Sequence, residues 1–305
     1  MGGVRRTLLV FGLSLVALGA WVGQASASQL IAWGVSHPRL IVNRHHIARI
    51  TYVDHTGVLR HVLAWGAINA RTPSQSKKQV AFKVDYSGGH GSFGNGYWAR
   101  MHNFCGRYTG PRLPHLIFAC DDTDGSYWAL QEWKRELPDG GWKGTRRQMS
   151  KELHLSHWSG KLPALFGDTT WLGHGKYDRL FGYLRYGGAG VYGFSATSRG
   201  NPTDSYGRNV YVDTHNPVWG RGWYRFNGAL SHRAAGNFCF GVYALYGRTH
   251  PARGNEYRMT VMGPGVTPIV EWRGKAPGRY SQSVYDQKEH ELDSFTPAGD
   301  SCRAN

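Results

Sequence analysis

The residues best suited to chemistry fall between positions 213 and 233. Asp213-Thr214-His215-Asn216 sets a carboxylate two positions from an imidazole, at the end of an expected strand, where reactive groups are often held. A histidine oriented by an aspartate can serve as general base on a phosphodiester or glycosidic bond. Asp213 and His215 are therefore the catalytic candidates, although the same stretch also reads as an Asx turn entering Asn216-Pro217. Just downstream, Trp219, Trp223, Tyr224 and Phe226 interleave with Arg221, Arg225 and Arg233 among glycines. Flat rings stack on sugar faces or bases, and guanidinium forks pair with carboxylates and phosphates. That mixture suits an acidic glycan or a single-stranded nucleic acid. Trp219, Arg221, Trp223, Tyr224 and Arg225 are the expected ligand-binding residues.

Other patterns fail on geometry. Gly188-Ala189-Gly190-Val191-Tyr192-Gly193 spells G-x-G-x-x-G, but a turn-like 195–202 follows it where a dinucleotide site needs a helix. No cofactor is expected. Asp121-Asp122-Thr123-Asp124-Gly125 is the one acidic cluster of the basic body. With Asp122 and Asp124 as calcium-loop positions three and five, Gly125 falls at six, but Cys120 and Gln131 then occupy positions one and twelve. Capping of a following helix explains these acids more simply, so no metal is expected. His154-Leu155-Ser156-His157 has no carboxylate nearby to complete a set, and neither H-E-x-x-H nor G-x-S-x-G occurs.

The elements that must position these residues are mostly strands. Forty-two glycines, with many Tyr and Trp, suit short strands and tight turns. Strands are expected at 47–53 and 58–63 around an Asp54-His55-Thr56-Gly57 turn, and at 80–86 after a polar loop at 71–79. Further strands are expected at 180–186, 210–212, 238–246, 257–262 and 269–272. A helix is expected over 126–137, capped by Asp124 and stopped by Pro138. Asn103-Phe104-Cys105 recurs as Asn237-Phe238-Cys239, and Gly96-Tyr97-Trp98 finds an echo in Gly222-Trp223-Tyr224. The run Gly125-Ser126-Tyr127-Trp128-Ala129-Leu130-Gln131 resembles a segment of uncharacterised secreted proteins of high-GC Gram-positive bacteria. The resemblance covers a small part of the chain and implies no activity. The fold class read from all this is mainly β: a β-sandwich, or two related antiparallel β units, with one short helix. The expected units are 28–150 and 151–285, followed by an acidic tail over 286–305.

The first 27 residues read as a signal peptide. Arg5 and Arg6 precede an apolar run from Leu8 to Val22, and Ala25-Ser26-Ala27 offers a cleavage site that would leave Ser28 first. No second stretch is apolar and long enough to span a membrane. Removing two arginines lowers the formal charge from +16 to +14, still a strong attraction for polyanions. Cys105, Cys120, Cys239 and Cys302 give an even number, which in an exported chain reads as two disulfides. Of three connectivities, Cys105–Cys120 with Cys239–Cys302 is favoured.

These features together point to a secreted, non-catalytic binder of an anionic cell-envelope or extracellular polysaccharide. A secreted hydrolase of polysaccharide or phosphodiester polymers is the first alternative, and a structural matrix or coat protein the second.

Overall fold

In a computed structural model, the described residues are 28–68, 80–138, 144–147, 149–191, 195–196, 202–203, 210–226, 230–232, 236–242, 253–263 and 265–295. The expected signal segment, the polar loop 71–79, Arg233 and Cys302 lie outside them.

The chain is mostly β and forms two antiparallel sandwiches in sequence. The first contains β1 (Gln29–Trp33), β2 (Ser36–Val42), β3 (Ala48–Val53), β4 (Leu59–Trp65) and β5 (Lys83–Asp85). A single-turn helix, α1 (His90–Phe93), then leads to β6 (Gly106–Arg107), β7 (Leu116–Asp121), β8 (Tyr127–Trp133) and β9 (Glu152–Trp158). One sheet runs β1-β9-β8-β7-β6 and the other β2-β3-β4-β5. Both contribute to one core: Ile50, Tyr52 and Val62 from one sheet meet Trp128, Leu130 and Leu155 from the other.

The second sandwich begins with β10 (Ala164–Leu172), β11 (Tyr177–Tyr186) and β12 (Ala189–Gly190), with a small β13 (Ser195–Ala196) and β14 (Pro202–Thr203) pair. It continues with β15 (Val210–His215), β16 (Trp223–Phe226), β17 (Leu230–His232), β18 (Asn237–Val242), β19 (Glu256–Met262) and β20 (Ile269–Lys275). Its sheets are ordered β10-β11-β18-β17, with β12 beside β11, and β16-β15-β19-β20. Leu180, Phe238 and Phe240 of one sheet pack on Val212, Tyr257 and Met259 of the other. Gly182 sits where a Cβ would meet the Phe166 carbonyl at 2.0 Å, so β10 and β11 approach closely only because that residue is glycine.

The 14-residue helix α2 (Gln282–Phe295) follows β20 and lies on the outer face of the β10-β11-β18-β17 sheet. Leu292 packs there with Phe181 and Cys239, while Glu289 pairs with Arg179 and Lys288 with Asp168. The start of the acidic tail is thus a docked helix.

Four expectations need comment. Residues 126–137 do not form a helix: 127–133 are β8, the middle of a sheet buried on both faces. One face of β8 meets the first core, and its other face meets Leu113, Trp158 and the second sandwich. Apolar residues therefore occupy both faces, which removes the two-residue alternation that marks a half-buried strand. Asp124 does not cap a helix; its Oδ1 accepts from the Ser126 N–H and Oγ, with Gly125 at φ 81°, and so closes the β7–β8 turn. The tripeptide echo is not a structural repeat: 103–105 are irregular while 237–239 lie in β18. Finally β9, beyond the boundary expected at 150, pairs with β1 and β8 of the first sandwich.

The Asp54–Gly57 hairpin joins β3 and β4 as expected. Asp54 Oδ1 takes the Thr56 and Val58 N–H groups, and Gly57 supplies φ 87°. Cys105 and Cys120 form a disulfide. Cys239 is itself disulfide-bonded, and Cys302, its expected partner, lies outside the described residues.

Candidate functional site

Strand alternation in the β16-β15-β19-β20 sheet sends Val212, Phe226, Tyr257 and Met259 into the second core. Asp213, Arg225, Arg258, Glu271 and Arg273 point the other way, toward the first sandwich and solvent. The register sets Asp213 opposite Arg225 on one side and opposite Arg258 on the other. Asp213 is fully buried and accepts from Arg225 Nε through Oδ1, and from Arg258 Nε and a terminal nitrogen through Oδ2, at 2.8 and 2.6 Å. A buried carboxylate held by two guanidiniums is strongly stabilised as the anion and is shut off from substrate, so it is a poor base. His215 bonds Asn255 Oδ1 at 3.1 Å instead of Asp213. The two catalytic candidates therefore do not form a dyad. Asn216 Oδ1 accepts from the Gly222 N–H at 2.7 Å, six positions on, so it closes the 216–222 loop and is not the expected Asx turn.

The expected ligand patch divides into three. Arg225 is buried; its remaining N–H groups reach the Lys134 and Arg135 carbonyls, its backbone N–H the Pro138 carbonyl, and its guanidinium lies 5.1 Å from the Trp133 ring centre. It joins the sandwiches and leaves no face for a polymer. Trp219 and Tyr224 lean toward the second core, where Trp219 stacks on Phe226 and Tyr224 Oη donates to the Trp219 carbonyl. Gly220 has φ 137°, a backbone conformation that side-chain-bearing residues rarely adopt, which is why the loop carries glycine there. Arg221 and Trp223 remain outward: Arg221 exposed, Trp223 half-buried. Arg258 lies 4.4 Å and Arg273 5.7 Å from the Trp223 ring centre, in the range of cation–π attraction.

Arg273 leads from Trp223 into an open cleft of about 580 Å³ at the joint of the sandwiches, lined by Arg112, Leu113, Pro114, His115, Glu271 and Arg273. His115 Nε2 lies 2.7 Å from Glu271 Oε2, and Arg273 Nε donates to Oε1 at 2.6 Å. Burial alone would raise the Glu271 pKa. The hydrogen bonds from His115 and Arg273, with the charges of His115 and Arg258, override burial and hold it down to about 2. Glu271 is thus ionised, and exposed Arg112 and Arg273 leave the cleft cationic. Sequence reasoning missed this group because His115 lies 156 positions from Glu271, and Arg112 further still. The available signal was the alternation of Glu271 and Arg273 with Val270 and Trp272.

Elsewhere, His46 at the β2–β3 turn meets Asp122 and Asp124 of the β7–β8 turn. His154 and His157, three apart on a strand, face opposite sides. Contrary to the sequence reading, a carboxylate does lie beside His154, which bonds Glu152 as well as Ser28, while His157 stacks on Trp128 and bonds Ser126. Burial drives the His157 pKa down to about 4, against opposing contributions from the Ala67 carbonyl and the nearby aspartates. The G-x-G stretch includes β12, antiparallel to β11, so Ala189-Gly190 form a short strand rather than the start of a phosphate-binding turn.

Fold and site together define an all-β protein of two sandwiches with an arginine- and tryptophan-bearing cleft at their joint. Among the described residues no helix is long and apolar enough to cross a membrane. No family model, curated protein or solved structure matches the chain.

Proposed function

We propose that the protein is a secreted, non-catalytic binder of an anionic cell-envelope or extracellular polysaccharide, with its site at the Trp223 face and the adjoining cleft. The observation that carries this reading is Trp223 beside Arg258 and Arg273, next to a groove with a second exposed arginine, Arg112. A sugar ring stacks on an indole, and its carboxylate or phosphate groups meet guanidiniums within one residue's reach. The formal charge, +14 without the signal segment, adds long-range attraction that salt weakens.

The test is binding to a panel of acidic and neutral polysaccharides and single-stranded nucleic acid, at low and moderate salt. One acidic glycan should persist at moderate salt and lose about tenfold affinity in Trp223→Ala and Arg273→Ala, a change of ~1.4 kcal/mol. Equal retention of every polyanion, abolished by salt, would sink the proposal and leave only a basic surface.

One observation favours the hydrolase reading, at a different place from Asp213 and His215. His115 is oriented by Glu271 in the open cleft, as a general base would be. If polymer cleavage is found and vanishes in His115→Ala, this reading replaces the first.

A further inference from the structure

The β2–β3 and β7–β8 turns belong to opposite sheets of the first sandwich, yet their tips meet. His46 Nδ1 lies 3.0 Å from Asp122 Oδ2 and 3.8 Å from Asp124 Oδ2, and one donor atom from each of the three residues falls within 4.8 Å of the others. We propose that His46, Asp122 and Asp124 bind a divalent cation of the zinc or manganese class, tying the two sheets of the first sandwich together at this end.

The donor set carries the choice of ion. One imidazole nitrogen with two carboxylate oxygens suits first-row divalent metals, whereas calcium takes oxygen ligands alone. Tetrahedral bonds of about 2.1 Å put donors roughly 3.4 Å apart, a spacing between the 3.0 and 3.8 Å that separate His46 Nδ1 from the two carboxylate oxygens.

Charge supplies an independent argument. The Asp122 side chain is wholly buried, and among the described residues its one ion-pair partner is the His46 imidazole. A buried carboxylate is stable when paired or bound to metal; Asp122 Oδ1 is held by the Thr123 N–H at 2.7 Å, and Oδ2, which faces His46, is the oxygen a divalent ion would take.

The carboxylates are also held from outside the trio. Trp128 Nε1 donates to Asp122 at 3.0 Å, and Ser126 both fixes Asp124 Oδ1 and bonds His157. Such outer contacts orient ligands before the ion arrives. The His46 and Asp124 side chains are 41% and 35% exposed, which gives the ion a way in and leaves water the remaining positions.

The experiment is calorimetric titration of purified, EDTA-stripped protein with Zn²⁺ and then with Mn²⁺, alongside thermal melts. One ion per chain should bind and raise the Tm. Both effects should fall at least about tenfold in His46→Ala and in Asp124→Asn, with far-UV circular dichroism confirming that each variant is folded. Asp124→Asn keeps the shape and its Oδ1 contact to Ser126, so it carries the test if His46→Ala does not fold. Absence of stoichiometric binding would mean an ion pair alone, and unchanged binding in the folded variants would place the ion at other histidines. Either result overturns the proposal.

Discussion

Gln131 shows how one side chain can do the work of a strand. Fully buried on β8, it donates to the Pro114 and Ile269 carbonyls at 2.8 and 3.0 Å and accepts from the Ile269 N–H at 2.9 Å. The start of β20 is thereby paired to the other sandwich through an amide. Gln131→Leu leaves these backbone groups buried without partners and should cost about 2–4 kcal/mol. The check is a lower guanidinium midpoint at unchanged slope. Glu271 adds a pH dependence. Its folded pKa, about 2, lies below the ordinary 4.5, so its stabilisation is present above 4.5 and is lost as pH falls through 2. The full contribution is about 3 kcal/mol. Urea melts from pH 6 to 2 should show a shallower acid loss in Glu271→Gln than in the parent; equal slopes would refute the assignment.

Among the elements, legibility followed burial. β3 alternates buried with half-buried positions, and Asp54 and Gly57 mark the turn into β4, so the hairpin could be read from one strand's alternation and from turn chemistry. β8 could not, because neighbours on both faces call for apolar residues on both, Tyr127 to Leu130 running unbroken, and this removes the alternation. α2 was read only as acidic tail; few of its residues are apolar, and it holds its place through Leu292 and ion pairs invisible in sequence. The site divides likewise. Trp223 and Arg221 were legible as an aromatic-basic patch, whereas the burial of Arg225 and the arrival of His115 beside Glu271 depend on contacts remote in sequence. Leu292→Ala should cost about 2–4 kcal/mol and raise amide exchange across α2 before the sheet beneath it opens. Unaltered exchange would mean that the helix is held by its ion pairs alone.

Across the whole molecule, the joint decides whether two sandwiches behave as one. Trp133 of β8 packs with Tyr211, Met262 and Ile269 of the second sandwich, and Arg225 crosses the same seam. The parent should melt in a single transition by calorimetry. Trp133→Ala, removing about 3–5 kcal/mol of packing at the seam, should resolve it into two. A single transition in both proteins would show that the remaining polar contacts suffice for coupling.

The pairing of β1 with β9 also sets a timetable for the growing chain. Ser28, at the edge of β1, meets His154 across 126 positions. At ribosomal speeds of ~5–20 residues per second, β1 waits roughly 6–25 s before its partner is even synthesised. Throughout that interval Leu30, Ile31 and their unpaired backbone are open to other strands. The β1–β9 edge of the first sandwich therefore cannot form until residue 158 has been made, and a nascent chain has reason to be kept apart from its copies until β9 arrives.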